Sequence, residues 1–332
     1  MLKILIIAPS WVGDAVMAQS LFITLKNTYP ECYIDVLAPE WSQALFSRMP
    51  QVNQTLIMPL IHGEFGLKKR IALGKQCQKN NYTQAIVLPN SWKSALIPFF
   101  ANIPTRTGFI GECRFGLLND ARKLNKSRLP TMVQRFVALG TTSENEACLS
   151  IPFPELSFTP LQQEQTIEQF SLSLDKPVLA LCIGAEYGSA KCWPENHFAK
   201  LAMLQLEKNW QVWLIGSSKD QRIADEINII CDFQCRNFTG KTTLAQAIDL
   251  LSFAKSVVSN DSGLLHVAAA LKKPVIAIYG SSDPTFTPPL SAHAQIISLN
   301  LPCSPCFKRE CPLGHRACLT DISSESVARY IN

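Results

Sequence analysis

No stretch of this chain reaches the ~18 uninterrupted apolar residues of a membrane-spanning helix. The nearest, QAIVLPNSWKSALIPFFA at 84–101, is interrupted by Pro89, Asn90, Lys93 and Pro98. The opening MLKILIIAP is too short an apolar run for a secretory signal, and no small-residue cleavage site follows it. The G-x-G-x-x-G fingerprint is missing after the first apolar segment, which counts against a dinucleotide-dependent oxidoreductase. The G-x-x-x-x-G-K-[ST] loop is missing too, which counts against a P-loop NTPase. Eight of the 12 cysteines (Cys32, Cys77, Cys113, Cys148, Cys182, Cys192, Cys231, Cys235) lack framework spacing, so reduced thiols and a cytoplasmic location are expected.

What is present is the composition of a globular enzyme: 47% hydrophobic and 17% charged residues, enough to bury a core without staples. The 332 residues suggest about two domains. Charge is uneven. Residues 1–155 carry 16 Lys/Arg against 10 Asp/Glu, a net of +6, and residues 156–332 carry 15 against 16, a net of −1. A basic face on the first half can be a solvated surface or the seat of an anionic partner, an anionic membrane included. Aromatics are not interleaved with the cations in a nucleic-acid motif, so no nucleic acid is expected.

Buried-strand patterns alternate with helical ones: strands at 3–9, 33–39, 54–60 and 84–90, with a helix at 14–30 and helical character in LKKRIALGKQCQK. The stretch 141–175 reads as a linker rich in Pro, Ser and Thr. The alternation restarts with strands at 176–185, 211–218, 256–261 and 274–282, and helices at 194–209, 219–232, 242–254 and 262–272. The expected fold is α/β, with doubly wound parallel sheets in a domain at 1–160 and another at 172–320. Residues 321–332 are expected to form a helix packing back on the first domain.

Ligands of such sheets bind beyond the carboxyl ends of the strands. There, VVSNDSGLLHVAAAL (257–271) runs from a strand through Asn260-Asp261 into a helix opened by Ser262-Gly263. Unpaired amides at a helix start, with Gly263 admitting a bulky anion, make a pyrophosphate seat. His266 lies one turn on from Ser262. An ordinary N-cap and a satisfied core histidine would leave the same pattern. GAEYGSAKCWP (184–194) also follows a strand, and Lys191 there could neutralise a phosphate or be an exposed loop cation. Asp14, beside Gly13 after the first strand, fits a helix cap or a general base for an acceptor hydroxyl. LPCSPCFKRECPLGHRACL (301–319) sets Cys303, Cys306, Cys311 and Cys318 near His315. Four thiolates could form a zinc site or a Pro-rich loop of reduced thiols; the second pair lacks the tight C-x2-C spacing, and no metal is assigned.

The GD after the first strand, GAEYGSAKCWP and SNDSGLLHVAAAL together resemble glycosyltransferase family 9, the ADP-heptose:lipopolysaccharide heptosyltransferases. LPNSWKSALIPFFANIPTRTGF, GLLNDAR and PCFKRECPLGH look closest to the heptosyltransferase II branch. The resemblance implies a GT-B fold with two Rossmann-like domains facing a central cleft. It implies an inverting, metal-independent transfer with no cofactor, from ADP-L-glycero-D-manno-heptose onto the first heptose of heptosyl-Kdo-lipid A, at the cytoplasmic face of the inner membrane with peripheral contact. Asp14 matches the family's base and Lys191 its phosphate and sugar lysine. Asp261, Ser262, Gly263, Leu264 and His266 match the donor loop. Gly13, Glu186, Tyr187, Ser189 and Thr242 occupy further donor positions. Ser218 stands where heptosyltransferase I has a ribose-holding glutamate, which leaves Asp220 as the nearest acid. On the acceptor side the candidates are Asn90, Lys93, Arg106, Arg114 and Arg135. The alternatives are heptosyltransferase I or another core heptosyltransferase, and a GT-B sugar-nucleotide epimerase.

Overall fold

The computed structural model describes residues 1–60, 64–141 and 150–331. Cys148 and the part of the expected linker at 142–149 lie outside the described residues. The chain divides into two compact units between Leu156 and Ser157.

The first unit is built on β1 (Lys3–Ile7), α1 (Val12–Thr28), β2 (Tyr33–Ala38), α2 (Gln43–Phe46), β3 (Gln54–Ile57), α3 (Leu67–Gln78), β4 (Gln84–Val87), α4 (Leu96–Phe100), β5 (Thr105–Phe109), β6 (Asp120–Arg122) and α5 (Met132–Ala138). Its sheet runs β3-β2-β1-β4-β5-β6, with every pairing parallel. Ile4 to Ile7 are shut off from solvent, as a central strand covered on both faces requires. α1 buries Leu21, Phe22 and Leu25, packs on α5 and stops just before Pro30.

Chain leaving this unit is pinned to α1. Gln19 Nε2 donates to Glu155 O at 2.6 Å, Gln19 Oε1 accepts from Glu155 N at 3.0 Å, and Ser20 Oγ donates to Pro152 O at 2.7 Å. Buried Gln19 and Ser20 therefore have backbone partners, as buried polar groups must.

The second unit opens with α6 (Pro160–Phe170), where the sequence pattern suggested linker. Only Thr166 of α6 is buried, so its helical period is faint. What starts it is a capping box between Thr159 and Gln162 with Pro160 at the first position. Then follow β7 (Val178–Cys182), α7 (Glu195–Leu206), β8 (Gln211–Ile215), α8 (Gln221–Ile230), β9 (Arg236–Asn237), α9 (Leu244–Phe253), β10 (Ser256–Asn260), α10 (Gly263–Ala270), β11 (Val275–Ile278), β12 (Ala294–Ile297), α11 (Ala317–Thr320) and α12 (Ser324–Ala328). The second sheet, again all parallel, runs β12-β11-β10-β7-β8-β9. In each unit the strand order reverses between the unit's first and fourth strands: β1 and β4, then β7 and β10.

The terminal segment packs on α7 of the second unit. Trp193 Nε1 donates to Ile322 O at 3.0 Å, Ser324 Oγ donates to His197 O at 2.8 Å, and Lys200 pairs with Glu325 at 2.5 Å. Ile322, Val327 and Ile331 complete the second core, which gives the short helix its reason to fold there.

Candidate active site

In the first unit the reversal between β1 and β4 leaves two segments at one end of the sheet. After β1 the chain takes up helical geometry at Val12, with Trp11 in the cap position and making no side-chain cap bond. Asp14 is thus not a cap. It is the third residue of α1, half-buried beside Gly13, where free amides and the helix dipole favour an anion. After β4 come Asn90 and Lys93.

The other three acceptor candidates are engaged in holding the fold. Arg114 is 2% exposed. It donates through Nε to Phe109 O at 3.0 Å and through Nη1 to Pro89 O at 2.6 Å, and Nη2 reaches Phe109 O as well as Asn90 Oδ1. It therefore ties the loop after β4 to the end of β5. Burial lowers its pKa, with Glu112 opposing. Arg106 donates to Leu117 O and Ile103 O, each at 2.7 Å, and covers Phe99. Arg135 Nε donates to Leu129 O at 3.1 Å. These arginines satisfy buried carbonyls, a demand that sequence composition does not reveal. Replacing Arg114 with methionine is expected to lower the first unit's stability by about 2–4 kcal/mol by stranding those carbonyls. Thermal unfolding of the variant checks this; an unchanged transition would contradict it.

The second unit brings its two predicted anion loops together. Lys191 Nζ lies 2.5 Å from Asp261 Oδ2, with side chains 18% and 6% exposed, so the pair joins the loop after β7 to the loop after β10. Beneath it, Asn260 is wholly buried: Oδ1 accepts from Trp193 N at 2.9 Å, and Nδ2 donates to Ile183 O at 2.7 Å. Asn260 thus clamps the carboxyl ends of β7 and β10. Ser262 is the N-cap residue of α10, and its hydroxyl meets Ser259 Oγ at 3.2 Å. Gly263 and Leu264 are half-buried in the first turn. His266, one turn on, is buried. Loss of hydration draws its pKa below 6.5, Asp261 raises it and Lys191 lowers it further, which makes it a neutral imidazole at pH 7.

The rest of the loop at 184–191 is organised from an unexpected direction. Tyr187 lies 5.1 Å from Lys191 Nζ and 5.4 Å from the Arg309 guanidinium, and its hydroxyl donates to Phe307 O at 2.9 Å. Ala190 N donates to Arg309 O at 3.0 Å. Gly188, at φ +153°, admits that carbonyl, since a Cβ there would lie 2.4 Å from it. The cysteine-rich segment therefore buttresses the lysine loop. Ser189 is exposed. Glu186 is exposed and paired with Lys219. Thr242 is half-buried, one residue before the Thr243 cap of α9.

Asp220, the candidate for the ribose, is turned inward. Its Oδ2 accepts from Ser217 N and Ser217 Oγ, both at 2.8 Å, and a Cβ on Gly184 would collide with it. Capping thus occupies Asp220 Oδ2.

Cys311 accepts from backbone amides, chiefly that of Arg316, which draws its thiol pKa down. Cys318 is pushed up by burial and by Cys303, Cys306 and Cys311. Among the described residues no three His, Cys, Asp or Glu side chains are grouped to hold a metal ion.

Residues 70–317 match the family described as glycosyltransferase family 9 (heptosyltransferase). Lipopolysaccharide heptosyltransferase 2 of Escherichia coli K12 is 44% identical, with 100% of this chain and 98% of the relative covered. The Salmonella typhimurium LT2 protein of the same name is 46% identical at the same coverage. The solved E. coli ADP-heptose lps heptosyltransferase II superposes with a TM-score of 0.90 at 43% identity, covering 100% of this chain and 98% of that one. With that match, the two doubly wound units are those of a GT-B fold, and the chain belongs to glycosyltransferase family 9.

Proposed function

We propose that the chain transfers L-glycero-D-manno-heptose from ADP-heptose to the first heptose of the lipid A–Kdo inner core, with inversion. The observation that carries this reading is the Lys191–Asp261 pair at the reversal point of the second sheet, beside the start of α10. A nearly buried lysine next to unpaired helix-start amides suits a diphosphate. The relatives named above supply the identity of the sugar nucleotide and of the acceptor class.

In this reading Asp14 takes the proton from the acceptor hydroxyl. The oxygen attacks the anomeric carbon, the bond from that carbon to the diphosphate breaks, and ADP leaves with the bonding pair. Lys191 and the amides of Ser262 and Gly263 take up the charge that develops on the leaving oxygen. Tyr187, Thr242, Leu264 and His266 shape the donor site, and Asn90 and Lys93 are the remaining acceptor-side groups. The first unit is the acceptor-binding one and the second the donor-binding one. The acceptor is anchored in lipid, and no described helix is long and apolar enough to cross a membrane. The basic first unit then meets the cytoplasmic face of the inner membrane peripherally.

The experiment is a donor screen of ADP-heptose against UDP-sugars, with mass detection of one added heptose on a heptosylated lipid A core. ADP release should depend on that acceptor. Turnover of donor alone, or acceptance of an unheptosylated core instead, would overturn the assignment.

A further inference from the structure

The carboxyl end of the first sheet carries a feature that this chemistry leaves unused. Phe65 and Trp92 stand 42% and 40% exposed with ring centroids 5.1 Å apart. Two large aromatics from separate segments are thus held side by side at the surface.

Buried Arg70 holds them. Its Nε donates to Phe65 O at 2.6 Å, Nη2 to Glu64 O at 3.3 Å, and Nη1 to Lys93 O at 3.0 Å. One guanidinium so binds the chain bearing Phe65 to the turn bearing Trp92. Gly66, at φ +50°, redirects the backbone into α3, whose first turn exposes Leu67, Lys68 and Lys69. From the other side, Trp92 N donates to Glu112 Oε2 at 3.0 Å. The local charge is mainly positive: over residues 64–93, Lys68, Lys69, Arg70, Lys75, Lys79 and Lys93 outnumber Glu64, which pairs with Lys69, and Glu112 is the acid held at Trp92.

We infer that Phe65 and Trp92, flanked by Lys68 and Lys69, dock the first unit on an anionic lipid bilayer. Aromatic rings sit at the headgroup level of a membrane, and lysines are drawn to anionic headgroups within a Debye length. The placement serves the chemistry. Trp92 follows β4 and Asp14 follows β1, its neighbour in the sheet, so a bilayer met here presents an anchored hydroxyl at the end of the sheet that carries the base. The inference rests on the lipid-anchored acceptor proposed above.

The test is flotation of the full chain with vesicles of phosphatidylcholine containing about 30 mol % phosphatidylglycerol, against phosphatidylcholine alone, with neither donor nor acceptor present. The chain should float with the anionic vesicles and be released by salt. Lys68→Gln with Lys69→Gln should lower partitioning about thirtyfold. Phe65→Ser with Trp92→Ser should lower it by tenfold or more. All variants should turn over a deacylated, water-soluble acceptor at the parent rate. Failure of the parent to float, or variants that float equally, would overturn the inference. So would loss of turnover on the soluble acceptor in Phe65→Ser/Trp92→Ser, which would move the rings into acceptor binding. Should no acceptor take a heptose at all, the proposed reaction fails while flotation still reads the docking surface.

Discussion

Replacing Asp14 with asparagine is expected to slow heptose transfer by about 10²–10⁴-fold while leaving ADP binding intact. The acceptor hydroxyl must lose its proton as it attacks, and the proposed mechanism gives that proton one carboxylate to go to. Asparagine keeps the shape and the hydrogen-bonding atoms but is no base. Folding should survive, because Asp14 sits in the first turn of α1 and not at its cap. Losing a negative charge there costs about 0.3–1 kcal/mol of helix-dipole stabilisation. Single-turnover transfer, ADP titration calorimetry and thermal unfolding separate the three quantities. Transfer within tenfold of the parent would remove Asp14 from the mechanism. Weakened ADP binding at equal stability would instead make it a donor contact.

What makes the strand-end candidates visible in the sequence, and what hides the contacts around them? The rule that ligands sit beyond strand ends needs only the apolar runs, and KILII, VLALC and SVVSN are plain in the sequence. Asp14, Lys191 and Asp261 all follow such runs. Boundaries were less clear: α1 starts at Val12 because Trp11 is extended without capping through its side chain, so no capping residue announces the helix. β6, with three residues, and β9, with two, are too short to show a period, and α6 turns a polar face to solvent. Contacts between distant segments left no local trace. Nothing near Tyr187 points to Phe307 or Arg309, and nothing near Arg114 tells a ligand-binding cation from one given over to carbonyl oxygens. Asn260 was the nearest to a missed signal. It is an amide at the end of an otherwise apolar strand, and such a group stays buried only when both its ends find partners.

The pair between Lys191 and Asp261 predicts an outcome that separates holding the fold from holding the donor. Lys191→Met alone leaves a carboxylate that is 6% exposed without its cation. Stranding a buried charge this way is expected to cost the second unit about 3–5 kcal/mol. The same variant should weaken ADP binding by about tenfold to a hundredfold, the worth of a charge-assisted hydrogen bond. Combining Lys191→Met with Asp261→Asn removes both charges, so stability should return toward the parent while ADP affinity does not. His266 supplies an independent reading of the same electrostatics. Asp261 raises its pKa and Lys191 lowers it, so its ring should titrate higher in Lys191→Met than in the parent, and the added Asp261→Asn should take that increase away. Denaturant unfolding, ADP calorimetry and histidine NMR titration on the three variants test the set. A double variant as unstable as the single one would mean that the lysine is held there by packing. A double variant that regains ADP affinity would mean that the positive charge seating the diphosphate lies elsewhere, with Arg309, which shares the Tyr187 ring with Lys191, the first cation to replace.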